Sequence, residues 1–123
     1  MPLVRVDHPH GKSAEYRKAI GDVVYEALLT IMKAPQDDRF QIFSEHPPEG
    51  LFIHPEFQGI KRSREALIIQ VTLNEGRTTD QKQAFYRFIA DGLHKRIGLR
   101  HEDVVINLVE VAKDNWFYGM SGA

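Results

Sequence analysis

The sequence predicts an α+β fold in which two fused βαβ units form a four-stranded mixed sheet with two helices on one face. Two observations carry this expectation. The chain matches itself without gaps at an offset of 65 residues, pairing Val6 with Val71, Gly11 with Gly76, Ala19 with Ala84, Leu28 with Leu93 and Asp38 with Asp103. Each copy then reads as strand, helix, strand by its hydrophobic period. A length of 123 residues fits one domain. The expected organisation is therefore a single domain over 1–123, with repeats at approximately 2–46 and 65–111, a linker between them and an aromatic C-terminal tail.

In the first copy Leu3, Val4 and Val6 suggest a short strand, which Gly11 ends. Ser13 is a candidate N-cap. Tyr16, Ile20, Val23, Val24, Ala27, Leu28, Ile31 and Met32 follow at helical spacing until Pro35 stops the helix. Phe40, Ile42 and Phe43 resume an extended run. Residues 47–61 form a turn-rich linker, within which Phe52-Ile53-His54 reads as a short edge strand. The second copy opens with the β-rich run Leu67–Leu73. Thr78 with Gln81 makes a capping box, and Phe85, Phe88, Ile89, Gly92, Leu93 and Ile97 form the next helical stripe. Gly98 suits its C-terminal stop, and Val104–Val109 forms the last main strand. Strands joined by a long helix are expected to be parallel within a unit, with a right-handed crossover. Helices on one face leave the other partly uncovered, so oligomerisation is a physical expectation.

Composition excludes several function classes. A formal charge of -1 gives no global field toward nucleic acid or an anionic membrane. With no cysteine there are no disulfides, thiolate metal sites or cysteine nucleophiles. This fits a reducing cytoplasm, and the run Met1–Val6 lacks the charged and apolar segments of a signal peptide. The expectation is a cytoplasmic protein whose mature chain begins at Pro2 or Met1. The histidines His8, His10, His46, His54, His94 and His101 lack the carboxylate or third-histidine spacing of a metal site.

Three groups remain as candidates for chemistry. Pro2, freed by removal of Met1, would carry a secondary amine able to act as acid, base or nucleophile according to its pKa. Asp38 precedes the second strand, whose start lies beside the start of the first if the two are parallel, so Asp38 is expected to reach the Pro2 nitrogen. Read alone, Asp38 is also a plain acidic turn residue, like its mate Asp103. Arg62 and Arg64 stand two apart before a strand and so face one side, where two guanidinium forks suit a carboxylate. Beside Lys61 they also read as a solvated basic turn.

Together these residues resemble the tautomerase superfamily, nearest its malonate semialdehyde decarboxylase-like branch, from Met1-Pro2-Leu3 to Trp116-Phe117-Tyr118-Gly119. The run Asp37-Asp38-Arg39-Phe40-Gln41-Ile42 looks like the decarboxylase's acidic loop and strand, with Asp38 in the place of its catalytic aspartate. Arg62-Ser63-Arg64 looks like its paired arginines, and Trp116 and Tyr118 look like the aromatic wall of its pocket. The resemblance implies a tautomerase-like homotrimer without cofactor or metal, acting on a small carboxylate-bearing carbonyl compound. It makes Pro2, Asp38, Arg62 and Arg64 catalytic, with Arg62, Arg64, Trp116 and Tyr118 binding substrate. The activity it implies is a malonate semialdehyde-type decarboxylase with hydratase capacity. One alternative is a keto–enol tautomerase of an enol acid such as phenylenolpyruvate, using the same pocket. Another is a non-catalytic ferredoxin-like binding module, for which Pro2 would be irrelevant.

Overall fold

The computed structural model describes residues 2–120. Strand β1 (Leu3–Pro9) leads to helix α1 (Ala14–Thr30) and strand β2 (Phe40–His46). A small hairpin, β3 (Glu56–Phe57) with β4 (Ile60–Lys61), precedes β5 (Leu67–Asn74), helix α2 (Thr79–Ile97) and β6 (Val104–Val111). The main sheet has the order β2-β1-β5-β6. Pairs β1/β2 and β5/β6 are parallel, and the central pair β1/β5 is antiparallel. The sheet is therefore mixed, with one βαβ unit on each side of its middle.

Local chemistry explains the element ends. The Ser13 hydroxyl accepts from Tyr16 N at 3.1 Å to start α1. That helix ends at Thr30, five residues before the expected stop at Pro35. The stop is Lys33, which takes a left-handed φ of 60°, while Ala34 N donates back to Leu28 O at 2.9 Å. A lysine thus takes a left-handed position where glycine is usual, which is why the sequence hides the stop. Helix α2 begins with the reciprocal Thr78–Gln81 capping box and ends on Gly98 at φ 69°. The linker departs from expectation. Phe52-Ile53-His54 joins no sheet, and the short strands lie after Pro55 instead. Gln58 and Gly59, at φ 53° and 79°, supply the two left-handed residues that a tight two-residue hairpin turn needs.

The core lies between the helices and one sheet face. Val4 and Val6 of β1 and Leu67, Ile69, Val71 and Leu73 of β5 are at most 1% exposed. Over them pack Ile20, Val24 and Ala27 of α1 and Phe85, Ile89 and Leu93 of α2. The helices approach closely because Gly92 has no Cβ, which would stand 2.8 Å from Val23 Cγ1. The opposite sheet face is uncovered. It carries Arg5, Gln70 and Asn107 beside the exposed apolar side chains of Phe40, Ile42 and Val109. Among the described residues no helix is long and apolar enough to cross a membrane.

The antiparallel middle has a consequence for function. It places the start of the first unit and the start of the second at opposite ends of the sheet.

Candidate active site

Pro2 immediately precedes β1 and is buried. In the parallel register Leu3 pairs with Phe40, so the residues just before each strand, Pro2 and the Asp38-Arg39 step, are neighbours. The turn that sets Asp38 is tightly held. Asp37 takes φ 68° and its N–H donates to the Tyr25 hydroxyl at 2.9 Å, while Asp38 N donates to Pro35 O at 3.3 Å. Arg39 is turned back on α1, where it donates to Asp22 at 2.9 Å and lies over the Tyr25 ring. Asp38 is half-buried, and burial pushes its carboxyl above the usual aspartate value, while the positive charge of the chain's amino terminus pulls it the other way.

The aromatic tail covers this same end. The Tyr118 ring stacks on Phe40 at 6.2 Å and on Trp116 at 6.1 Å between centroids. Burial raises the Tyr118 phenol above its ordinary value, and the Asp38 charge adds to the rise. Trp116 Nε1 donates to Asn74 Oδ1 at 2.7 Å. Asn74 ends β5, two residues beyond Thr72, which pairs with Leu3. Pro2, Asp38, Trp116 and Tyr118 thus share one end of the sheet.

Arg62 and Arg64 do not join them. They precede β5, and because β5 runs antiparallel to β1 they lie at the far end, near Pro9 rather than Pro2. Seven residues of β1 separate the ends, a distance of roughly 20 Å at the rise of an extended strand. The expected convergence of both guanidinium groups on Pro2 is not what one chain produces. Beside Arg39, which is held on α1, the Pro2 end carries Arg77, a residue not among the sequence candidates. Its Nη1 donates to Asn74 O at 3.0 Å, and its Nε and Nη2 donate to Met32 O at 3.2 and 2.9 Å. Those bonds fix the guanidinium between the end of β5 and the end of α1. The signal for it was topological. Arg77 follows the strand whose end meets the start of β1, whereas Arg62 and Arg64 precede that strand. Among the described residues no group of three His, Asp or Glu side chains could hold a metal ion.

The end of the sheet carrying Pro2 thus offers a proline at a chain start, a partly desolvated carboxylate, a guanidinium and an aromatic wall. Such a set can bind a small anion and exchange protons with it. Comparison with known proteins gives this arrangement a lineage. Two family models, each described as Tautomerase enzyme, match residues 38–119 and 2–59. The probable tautomerase YusQ of Bacillus subtilis (strain 168) is 31% identical over 119 residues, covering 97% of this chain and 94% of its own. The crystal structure of FG41 malonate semialdehyde decarboxylase inhibited by 3-bromopropiolate superposes with a TM-score of 0.89 at 35% identity, covering 98% of this chain and 91% of that one. A structure described as Q0 fused 4-OT wild type symmetric trimer shares the fold, with a TM-score of 0.77 at 20% identity over 98% of this chain and 93% of that one. The chain belongs to the tautomerase superfamily, on its malonate semialdehyde decarboxylase-like branch, and is an enzyme of that superfamily.

Proposed function

We propose that this enzyme decarboxylates a β-carbonyl carboxylic acid of the malonate semialdehyde type, with the Pro2 amine as its working group once Met1 is removed. The observation that carries the reading is the parallel β1/β2 register, which sets Pro2 beside the half-buried carboxylate of Asp38. A carboxylate beside an amine favours the cation, and a cationic amine is an acid rather than a base. The 35% identical decarboxylase supports the same direction.

In this scheme the substrate carboxylate sits by Arg77, and either its carbonyl oxygen accepts a hydrogen bond from protonated Pro2, or its carbonyl carbon is attacked by the neutral amine to form an iminium, the oxygen leaving as water. Either makes an electron sink. The bond from the α-carbon to the carboxylate breaks, its electron pair enters the sink, and CO₂ leaves. An enol takes a proton at carbon and loses its hydroxyl proton to give the aldehyde, whereas an enamine protonated at carbon becomes an iminium, which water hydrolyses to the aldehyde and the free amine. Asp38 holds the amine protonated, and the same carboxylate can orient water for hydration of an activated acid. Trp116 and Tyr118 keep bulk water from the carboxylate.

A homotrimer is part of the proposal. The uncovered sheet face exposes Phe40, Ile42 and Val109, and a structural neighbour is a symmetric trimer.

The test is CO₂ release from malonate semialdehyde by protein whose intact mass shows Met1 absent. Pro2→Ala and Asp38→Asn should each lower turnover by about 10²–10⁴-fold, the range of positioned acid–base groups. Turnover unchanged in both variants would overturn the proposal. A second reading has its own support, since the curated relative is named a tautomerase. Ketonisation of phenylenolpyruvate without CO₂ release from the semialdehyde would favour it.

A further inference from the structure

The end of the sheet opposite Pro2 holds a cavity of about 590 Å³. Its charged and titratable lining is Arg62, Arg64, His10 and His46, with no carboxylate among its lining residues. Neither guanidinium forms an ion pair among the described residues, and Arg62 Nε is buried without a hydrogen-bond partner. A buried N–H of a cationic group left unsatisfied is costly, and an anion accepting from it removes the cost. Two acids behind this lining are already engaged, Asp7 with His46 Nε2 at 2.6 Å and with Arg5, and Asp103 with Ser63. Apart from Ser63 the remaining lining is apolar and includes Pro47, Leu51, Phe52 and Ile53. Two guanidinium groups within apolar walls suit a carboxylate attached to an apolar body.

The duplication explains how such a cavity arises. The linker segment Leu51-Phe52-Ile53 that walls this cavity follows the first repeat as Trp116-Phe117-Tyr118 follows the second, at the same 65-residue offset. The same offset sets Leu67 against Pro2 and Asp103 against Asp38. Leu67 lies within the chain and has no amine. Asp103 is 1% exposed and fully occupied, accepting from Ser63 N at 2.7 Å and Ser63 Oγ at 2.6 Å. The far end therefore keeps the walls of a carboxylate site without the groups for proton transfer. Arg62 and Arg64, from the linker, add the cationic part.

We propose that this cavity is a second, non-catalytic binding site for a small organic carboxylate with an apolar body. The site does not depend on which reaction Pro2 performs. The experiment titrates phenylacetate into ¹⁵N-labelled full-length protein and follows the Arg62 Nε–H resonance, assigned by its loss in Arg62→Lys. That signal reads this cavity and not the Pro2 end. The expected result is a saturable shift whose midpoint rises about tenfold in Arg64→Ala and stays within about twofold of wild type in Pro2→Ala. Leu51→Trp, which fills the cavity, should abolish the shift with the fold intact by circular dichroism. Inorganic phosphate should bind at least about tenfold more weakly, because it gains nothing from the apolar wall. A resonance that does not move, a midpoint indifferent to both Arg64→Ala and Leu51→Trp, or phosphate binding as tightly as phenylacetate would each overturn the proposal.

Discussion

Replacing Asp103 with alanine should cost more stability than any other change to an acidic side chain described above. The carboxylate is 1% exposed and accepts two short bonds from Ser63, with Arg100 Nη1 a further 3.8 Å away. A hydrogen bond to a charged group is worth about 1.5–3 kcal/mol. Ser63 itself is exposed, so water recovers part of the loss when the carboxylate goes. The expected net cost is about 2–4 kcal/mol. Unfolding entropy near 2.1 cal/mol/K per residue over 123 residues comes to about 0.26 kcal/mol/K. The loss therefore corresponds to a fall in Tm of about 8–15 °C. Urea and thermal unfolding of Asp103→Ala, Ser63→Ala and the double variant measure it, and the cycle should give a coupling of at least about 1 kcal/mol. Turnover per folded molecule should be unchanged, which separates Asp103 from its repeat mate Asp38. A Tm within about 2 °C of wild type, or additive losses in the cycle, would refute the reasoning.

Asp38→Asn should do the reverse, losing turnover while gaining slightly in stability at pH 7. Burial raises its folded pKa above the unfolded 3.8, so the ionised carboxyl costs folding energy at neutral pH and the cost vanishes as pH falls below 3.8. Denaturant midpoints at pH 7 and pH 3 should show the difference present at the first and absent at the second. Trp116→Phe deletes the 2.7 Å bond to Asn74, and should raise KM by about threefold or more while kcat changes less, if the indole holds the substrate wall in place. Gly98→Ala forces a Cβ into φ 69° at the end of α2, and should cost about 1 kcal/mol, read as a Tm drop of about 4 °C.

Much of the fold was legible in the residues because periodicity and repetition record packing directly. The stripe Ile20, Val24, Ala27 and its counterpart Phe85, Ile89, Leu93 are the faces that bury, and Thr78 with Gln81 caps as its spacing says. What escaped were features set by backbone conformation in non-glycine residues. Lys33 in a left-handed conformation ends α1 early, and Gln58 in the same region makes a hairpin where none was read. At the site, the neighbourhood of Pro2 and Asp38 followed from parallel pairing within one unit, a local inference. The placement of the arginines required the relation between the units. A mixed sheet of two internally parallel units already sets the start of β5 opposite the start of β1, so the expected topology pointed to Arg77, which follows β5, rather than to Arg62 and Arg64, which precede it.

The ring nitrogen of Pro2 is the group on which the proposed chemistry depends. Protein labelled with ¹⁵N-proline and lacking Met1 allows that nitrogen to be titrated by NMR beside the pH dependence of kcat/KM. The account predicts that the amine's pKa reappears as a limb of the rate profile and falls in Asp38→Asn, as loss of a neighbouring negative charge requires. A nitrogen whose titration has no counterpart in the rate, or full turnover in protein that retains Met1, would contradict it.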